Sequence, residues 1–438
     1  MNNYQLTTEL FTIPNKEGKT ILYFPLAGLL IDADNSLINL LDHFEDKELS
    51  NLTPEEEKQI DYFLKKGIIT KKGSTQHIIP EIDKDFPHKL TLFPSNNCNL
   101  ECTYCYASKS RSKHLVMDWG IIESAVEFYI NLMHQENRTI FNLELHGGGE
   151  PFYEWNLVQN IIHYVEKTCN KNNFKLEAVS STNGVLTKSQ MEWITKHFTF
   201  ILLSCEVLPD IQNLQRPFIK QKPSFQIVDK TIKYFDKADF SYGIRVTVTP
   251  NNENLLKETI DFIVEHYNTK LIFFEPVKAC GNNQSLQGIN FKKFIENFIS
   301  LEPYAESNGI KIRYSGADYE KRTSNFCYVG TAQFAITPEG YLTNCWEVTD
   351  KEHPLADIFI FGELKANGQL DINYDKYNYL RSLSVRNFKY CQNCFAKWHC
   401  AGDCLARLYN NGFENSRGNE RCLTNREIIA HRLLQTLK

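Results

Sequence analysis

The sequence predicts an α/β fold built on a parallel sheet. Three observations carry that reading. Strand-like and helix-like segments alternate between Lys89 and Pro276. Three cysteines, Cys98, Cys102 and Cys105, sit on a loop leaving the first of these strands. Seven more crowd the tail beyond residue 315, the pattern of a chain that binds metal through thiolates.

Residues 1–85 read as a small separate module. Tyr4–Thr12, Thr20–Phe24 and Gly28–Asp32 look like three short strands, and Ser36–Phe44 is apolar at helical spacing. Thr53, Pro54 and Glu56 form a helix start, with Thr53 as N-cap and Glu56 three residues on. That helix ends near Lys66-Gly67.

Residues 88–312 form the second expected domain. Its strands are Lys89–Phe93, Ile140–His146, Leu176–Thr182, Phe200–Ser204, Ile244–Thr249 and Leu271–Pro276. Between them lie helix-like Asp118–His134, Trp155–Cys169, Thr187–His197, Gln226–Ala238 and Asn254–His266. In such folds the chemistry belongs at the C-terminal strand ends. Distinctive residues cluster there: Gly148-Gly149-Glu150-Pro151 after the second strand, Ser181-Thr182-Asn183-Gly184 at the third, and Ser204 with Arg216 at the fourth. A plain Asn-Gly turn remains an alternative at the third. The third domain is 315–438, where Gln333–Thr337 and Tyr341–Asn344 flank a Pro-Glu-Gly turn and predict a hairpin.

Composition narrows the function. The 438 residues carry a net charge of −5, which leaves no global nucleic-acid footprint. The longest apolar run, Ile21 to Ile31, contains Pro25 and Gly28 and is too short to span a bilayer. Neither membrane nor nucleic acid is expected as a partner. The first residues lack the charged and apolar regions of a signal peptide, so a cytoplasmic protein is expected. In that reducing compartment 13 cysteines favour metal over disulfides.

Cys98, Cys102 and Cys105 follow the spacing C-x3-C-x2-C, with Tyr104 before the last. A four-iron cluster normally takes four thiolates. Three leave one iron open to bind and activate a ligand. A zinc site is the alternative use of clustered cysteines.

This stretch resembles the signature of the radical S-adenosylmethionine (SAM) enzymes. The resemblance implies an open (β/α)6 partial barrel whose [4Fe-4S] cluster chelates SAM and cleaves it to methionine and a 5′-deoxyadenosyl radical. It also implies roles. Gly148, Gly149, Glu150 and Pro151 match the GGEP motif that contacts the SAM amino group. Ser181, Asn183 and Ser204 would meet the ribose, Arg216 the SAM carboxylate, and Phe274 the adenine through its backbone. Cys205-Glu206-Val207 departs from the family's Ser-hydrophobic-Asp-Gly pattern, and Cys205 reads as a small buried residue.

The tail resembles the SPASM domain. Cys327, Gly340 and Cys345, then Cys391-x2-Cys394-x5-Cys400-x3-Cys404, then Cys422, follow its spacing. The resemblance pairs Cys391, Cys394, Cys400 and Cys422 on one auxiliary [4Fe-4S] cluster, and Cys327, Cys345 and Cys404 on another, giving three clusters with SAM as cofactors. The second set lacks a fourth cysteine; an open iron, Asp318, Glu320 or Cys280 would complete it. Cys169, Cys205 and Cys280 otherwise default to structural roles. His399 reads as a neighbour of the cysteines or a surface residue. Glu347 is a candidate proton acceptor, with a solvated carboxylate as the alternative.

The front module resembles the winged-helix, PqqD-like element that binds a leader peptide as an added edge strand. The combination predicts a maturase that oxidatively modifies a ribosomally made precursor peptide. Cross-linking through a thioether, carbon–carbon or carbon–heteroatom bond is the expected chemistry. Its partners would be the precursor with its leader and an electron donor such as flavodoxin or ferredoxin. The alternative enzyme is an anaerobic sulfatase-maturing enzyme forming formylglycine. The non-enzymatic alternative is a degenerate peptide-binding iron–sulfur protein.

Overall fold

A computed structural model describes residues 4–15, 18–44, 52–73, 87–107, 114–277, 288–330, 334–408 and 418–437. The chain divides into two compact units. One joins Met1–Asp83, Gly316–Phe326 and Ser384–Lys438; the other joins Lys84–Ser315 and Cys327–Leu383.

The first unit opens with β1 (Tyr4–Leu6), β2 (Phe11–Ile13), β3 (Thr20–Phe24) and β4 (Leu29–Ala33), followed by α1 (Asn35–Asp42), α2 (Pro54–Lys65) and β5 (Ile69–Lys71). β2, β3 and β4 form an antiparallel meander, while β1 pairs with β5. The expected single strand Tyr4–Thr12 is therefore two. Thr7 N–H donates to the Ile68 carbonyl, and Glu9 N–H turns back to the Thr7 hydroxyl, which redirects the chain between sheets. α2 carries a full capping box: Thr53 accepts from Glu56 N–H, and Glu56 accepts from Thr53 N–H. Leu37, Leu40 and Leu41 of α1 and Ile60 and Phe63 of α2 close over Leu22 and Phe24 of β3. Each such side chain contributes about 1.5–3 kcal/mol on burial.

The second unit holds one eleven-stranded sheet. Its strands are β6 (Leu90–Leu92), β7 (Ile140–Leu145), β8 (Lys175–Thr182), β9 (Phe200–Ser204), β10 (Tyr242–Val248), β11 (Leu271–Pro276), β12 (Lys311–Arg313), β13 (Ala335–Ile336), β14 (Tyr341–Thr343), β15 (Ile360–Leu364) and β16 (Leu370–Ile372). Their order is β12-β11-β10-β9-β8-β7-β6-β13-β14-β15-β16. β6 to β12 run parallel, β13 joins β6 in parallel, and β14 to β16 continue antiparallel. The helices that return the chain along the parallel part are α3 (Trp119–Gln135), α4 (Trp155–Asn172), α5 (Lys188–His197), α6 (Pro209–Gln215), α7 (Phe225–Lys237), α8 (Leu256–His266) and α9 (Phe291–Ser307). α9 and β12 make a seventh repeat beyond the six expected.

Alternation sets the two faces of this sheet. On β10, Ile244, Val246 and Val248 are fully buried, while Arg245 is exposed and Thr247 half-buried on the opposite face. β7 repeats the pattern, with Phe141, Leu143 and Leu145 buried and Asn142, Glu144 and His146 half-buried. The apolar face meets helices such as α8, whose Ile260 and Ile263 are fully buried. The other face is polar and is where the site residues collect.

The tail of the first unit contains α12 (Lys397–Cys400), α13 (Leu405–Leu408) and α14 (Glu420–Gln435). Two further helices, α10 (Ala356–Phe359) and α11 (Tyr374–Ser382), belong to the second unit. Arg421 of α14 donates twice to the fully buried Asp403, at 2.7 and 2.8 Å. The tail is also bound to the front strands. Glu9 accepts from Lys397 Nζ at 2.6 Å and from Trp398 Nε1 at 2.7 Å. The Tyr23 hydroxyl bonds His399 Nε2 at 2.6 Å, and Arg322 donates to the Pro25 carbonyl at 2.6 Å.

Candidate active site

The loop after β6 is clamped from two sides. Glu101 N–H and Thr103 N–H donate to the Pro217 and Gln215 carbonyls, and Leu100 bridges Phe218. On the other side Glu150 N–H donates to the Asn97 carbonyl at 2.7 Å. Gly149 is what permits this approach. A Cβ there would lie 2.1 Å from Asn97 O and 2.5 Å from Asn96 C. Cys98, Cys102 and Cys105 emerge from the clamp half-buried.

Two donors face the sulfurs. Arg216 Nη1 lies 3.9 Å from Cys102 Sγ, and Asn183 Nδ2 lies 3.7 Å from Cys98 Sγ. N–H groups aimed at sulfur favour the thiolate, the form that binds metal. A sulfur-only set of half-buried thiols with such donors fits an iron–sulfur cluster.

Arg216 is held by Glu206, which sequence reasoning had set aside as a departure from pattern. Arg216 Nε donates to Glu206 Oε1 at 2.7 Å, and both groups are buried. Glu206 Oε2 accepts from Thr247 N–H at 2.9 Å, and Arg216 Nη2 reaches the Thr247 hydroxyl at 3.5 Å. Tyr104 donates its hydroxyl to Glu206, and the Arg216 guanidinium stands over its ring at 5.2 Å. Burial, with Glu206 beside it, pushes the Tyr104 phenol well above its ordinary range. The one local signal for this pair was a carboxylate just past a strand end, ten residues before an arginine.

Glu150 is buried at the end of β7. Its Oε1 accepts from Thr182 Oγ1 at 2.7 Å and Phe152 N–H at 3.1 Å, and its Oε2 from Asn183 N–H at 2.7 Å. Burial still pushes this carboxyl up to about 7, against those three donors. Asn183 also bonds Asn99 Oδ1 at 2.7 Å, tying β8 to the cysteine loop. Ser181 and Ser204 are half-buried at the ends of β8 and β9, Pro151 is buried and Gly148 packs beside Thr349. The Phe274 side chain is fully buried, so its backbone alone is available at the strand end.

Glu347 lies half-buried two residues after Cys345. It, Cys345, Cys105 and Arg245 all act electrostatically on the half-buried Tyr106 phenol, whose acidity burial suppresses. His146 is likewise desolvated, and its imidazole is driven down to about 4.

In the first unit Cys391, Cys400 and Cys422 are buried and Cys394 is half-buried. Burial first, then Asp403, and then the nearby thiols of Cys422 and Cys391 push the Cys400 thiol well above its ordinary pKa. Asn425 Nδ2 reaches Cys400 Sγ at 3.1 Å, and Gly418 N–H reaches Cys422 Sγ at 3.3 Å. His399, read as a neighbour or surface residue, is buried and bonded on both ring nitrogens, by Tyr23 and the Lys321 carbonyl. Cys404 is half-buried in this unit, whereas Cys327, exposed at φ 52°, and half-buried Cys345 belong to the other. Cys169 and Cys205 are buried, and burial raises each to about 12, as suits structural thiols. Asp318 is half-buried and Glu320 exposed; Cys280 lies outside the described residues.

Residues 92–263 match the model of the Radical SAM superfamily. An uncharacterized protein of Methanocaldococcus jannaschii is 28% identical over 192 residues, 43% of this chain and 62% of that protein. The chain thus spans less than two thirds of that relative. A cysteine-type anaerobic sulfatase-maturating enzyme of Clostridium perfringens is 23% identical over 73% of this chain and 89% of its own. The radical SAM cyclopropyl synthase TigE of Paramaledivibacter caminithermalis is 23% identical over 91% and 88%. Among solved structures, anSMEcpe with bound AdoMet aligns at TM-score 0.64 and 20% identity, over 80% of this chain and 98% of that one. Streptococcus suis SuiB bound to precursor peptide SuiA aligns at TM-score 0.53 and 13% identity, over 94% and 98%. These two share the fold, a large mixed sheet of the radical SAM partial-barrel kind. No helix among the described residues is long and apolar enough to cross a membrane. The clamped three-cysteine loop thus stands at the head of a sheet whose residues match the Radical SAM superfamily, in a chain similar to a sulfatase-maturating enzyme and a radical SAM cyclopropyl synthase.

Proposed function

We propose that this enzyme is a maturase that oxidatively modifies, by cross-linking, a ribosomally made precursor peptide. The observation that carries the reading is the clamped loop, where three half-buried thiols meet N–H donors from Arg216 and Asn183. Cys98, Cys102 and Cys105 would hold a [4Fe-4S] cluster. Once bound, cluster and SAM supply a 5′-deoxyadenosyl radical for hydrogen abstraction.

The chain's own residues orient that chemistry. Glu206 holds Arg216 by Nε and leaves its Nη edge to receive a carboxylate near Cys102. Glu150, fixed by Thr182, Asn183 and Phe152, presents a buried acceptor for an ammonium. Ser181, Asn183 and Ser204 line the strand ends for ribose oxygens, and the Phe274 backbone suits adenine. Cys391, Cys394, Cys400 and Cys422 would take one auxiliary cluster; Cys327, Cys345 and Cys404 are assigned to a second. A flavodoxin or ferredoxin would supply electrons. The outer edge of β4, which pairs with β3 alone among the described strands, suits a leader peptide added as a strand, as in PqqD-like elements.

The test uses the full chain reconstituted without oxygen. SAM plus dithionite should yield 5′-deoxyadenosine, and the Cys98/Cys102/Cys105→Ala triple variant should yield none. Iron should fall from about twelve to about eight per chain. A triple variant cleaving SAM at the wild-type rate overturns the assignment. A second reading, formylglycine formation, is favoured by the likeness to the Clostridium perfringens enzyme. It predicts an aldehyde on a cysteine-containing sulfatase peptide, detectable with a hydrazide.

A further inference from the structure

One cation on the polar face of the sheet has no work in the reading above. Arg245 sits mid-strand on β10, an interior strand flanked by β9 and β11. Its side chain projects from the face opposite the helices and is exposed. Among the described residues its guanidinium makes no hydrogen bond or ion pair. A guanidinium has five N–H donors in a fixed fork, matched to a carboxylate.

Its surroundings point the same way. In register, Arg245 lies beside Ser204 on one strand and Phe273 on the other, with Arg313 next beyond. Two strand spacings put these arginines about 10 Å apart across Phe273. Thr247, two residues on and on the same face, touches Arg216 beside Cys102. Arg245 is also near enough to Tyr106 and His146 for its charge to act on both. Glu144, on the same face, is already taken by Lys89 at 2.7 Å and Thr91 at 3.2 Å. Glu347, which also acts on Tyr106, has partners of its own. Glu275, in register with Thr247, is buried and accepts from Ser315 N–H at 2.9 Å and from its hydroxyl at 2.7 Å, so the carboxylates on this face have other partners.

We propose that Arg245 anchors a carboxylate on this inner face, one pleat below Thr247. The carboxylate belongs to an acidic side chain of the peptide substrate, the SAM carboxylate being already given to Arg216. The proposal rests on the radical SAM maturase reading for the identity of that ligand.

The reconstituted full chain is labelled with phenylglyoxal, and modification of Arg245 is followed by peptide mass mapping. It is run alone, with N-acetylglutamate methylamide or its glutamine twin, and with SAM or decarboxylated SAM. Protection by the glutamate probe and not its twin supports the proposal. Protection by SAM and not its decarboxylated form, with none from the glutamate probe, overturns it. Arg245→Gln should then weaken the protecting ligand about tenfold or more, with Arg245→Lys recovering part of the loss. Iron content and circular dichroism should stay at wild-type values. If the glutamate probe protects no better than its twin, or Arg245→Gln binds it as wild type does, the proposal falls. A wild-type protein that makes no 5′-deoxyadenosine defeats the maturase reading instead, so the two failures are separable.

Discussion

Replacing Gly149 with alanine adds one methyl group at the tightest approach in the site. The new Cβ would stand 2.1 Å from the Asn97 carbonyl oxygen and 2.7 Å from Asn97 N. Both are backbone, so no side-chain rotation relieves the clash. Reaching an ordinary contact requires the Asn96–Asn97 segment to retreat by about 1.3 Å. That movement breaks the 2.7 Å hydrogen bond from Glu150 N–H to Asn97 O. Overpacking costs about 1–3 kcal/mol and the lost hydrogen bond about 1 kcal/mol more. The functional cost is larger, because Cys98 follows Asn97 directly. A displacement near 1 Å at a reacting centre can cost about a hundredfold in rate. Gly148→Ala is the milder comparison: its Cβ would meet the Thr349 side chain at 2.8 Å rather than backbone. Thermal unfolding, iron content and 5′-deoxyadenosine formation should all fall for Gly149→Ala, and fall less for Gly148→Ala. A Gly149→Ala protein with wild-type iron and wild-type SAM cleavage refutes the clamp.

Glu206→Ala should destabilise the second unit by about 3–5 kcal/mol, since it leaves the buried Arg216 charge unpaired; urea unfolding reads the loss. Glu9→Ala should cost about 1–3 kcal/mol in the first unit, because Trp398 loses its acceptor and Lys397 keeps only the Gln392 carbonyl; iron content of the cysteine tail is a second readout. Glu150 holds its proton up to about pH 7 when folded but only to about 4.5 when unfolded. The folded state therefore binds more protons between those values, and its stability should decline by up to about 3 kcal/mol as pH rises through that window. Glu150→Gln should flatten this slope, and an unchanged pH profile would refute the buried-carboxyl account.

The parallel core was legible because its elements are long and periodic. Phe200–Ser204 and Leu271–Pro276 coincide with β9 and β11, and Trp155 opens α4 as expected. The α2 capping box was equally plain, since both its partners lie within four residues. β5, β12 and β16 span three residues each, too few for alternation to register. The Glu206–Arg216–Tyr104 network eluded the sequence because Tyr104 comes to it from 102 residues away. Arg245 falls within the expected strand Ile244–Thr249, and only the sheet order shows which face it occupies. His399 was read without its partner, because Tyr23 is 376 residues distant.

That last separation bears on how the protein is made. The front strands meet Lys397, Trp398 and His399 only after 376–389 further residues have been synthesised. At about 5–20 residues per second, the ribosome needs roughly 20–75 s to supply the partners of Glu9 and Tyr23. During that interval the meander can shelter Leu22 and Phe24 under α1 and α2, a core drawn entirely from the first 69 residues. Glu9 and Tyr23 meanwhile wait for the tail. Contacts of such sequence span form slowly. The cysteines from Cys391 to Cys422 therefore reach their final setting last, and a nascent chain stalled before residue 397 would present a folded front with nothing to grip.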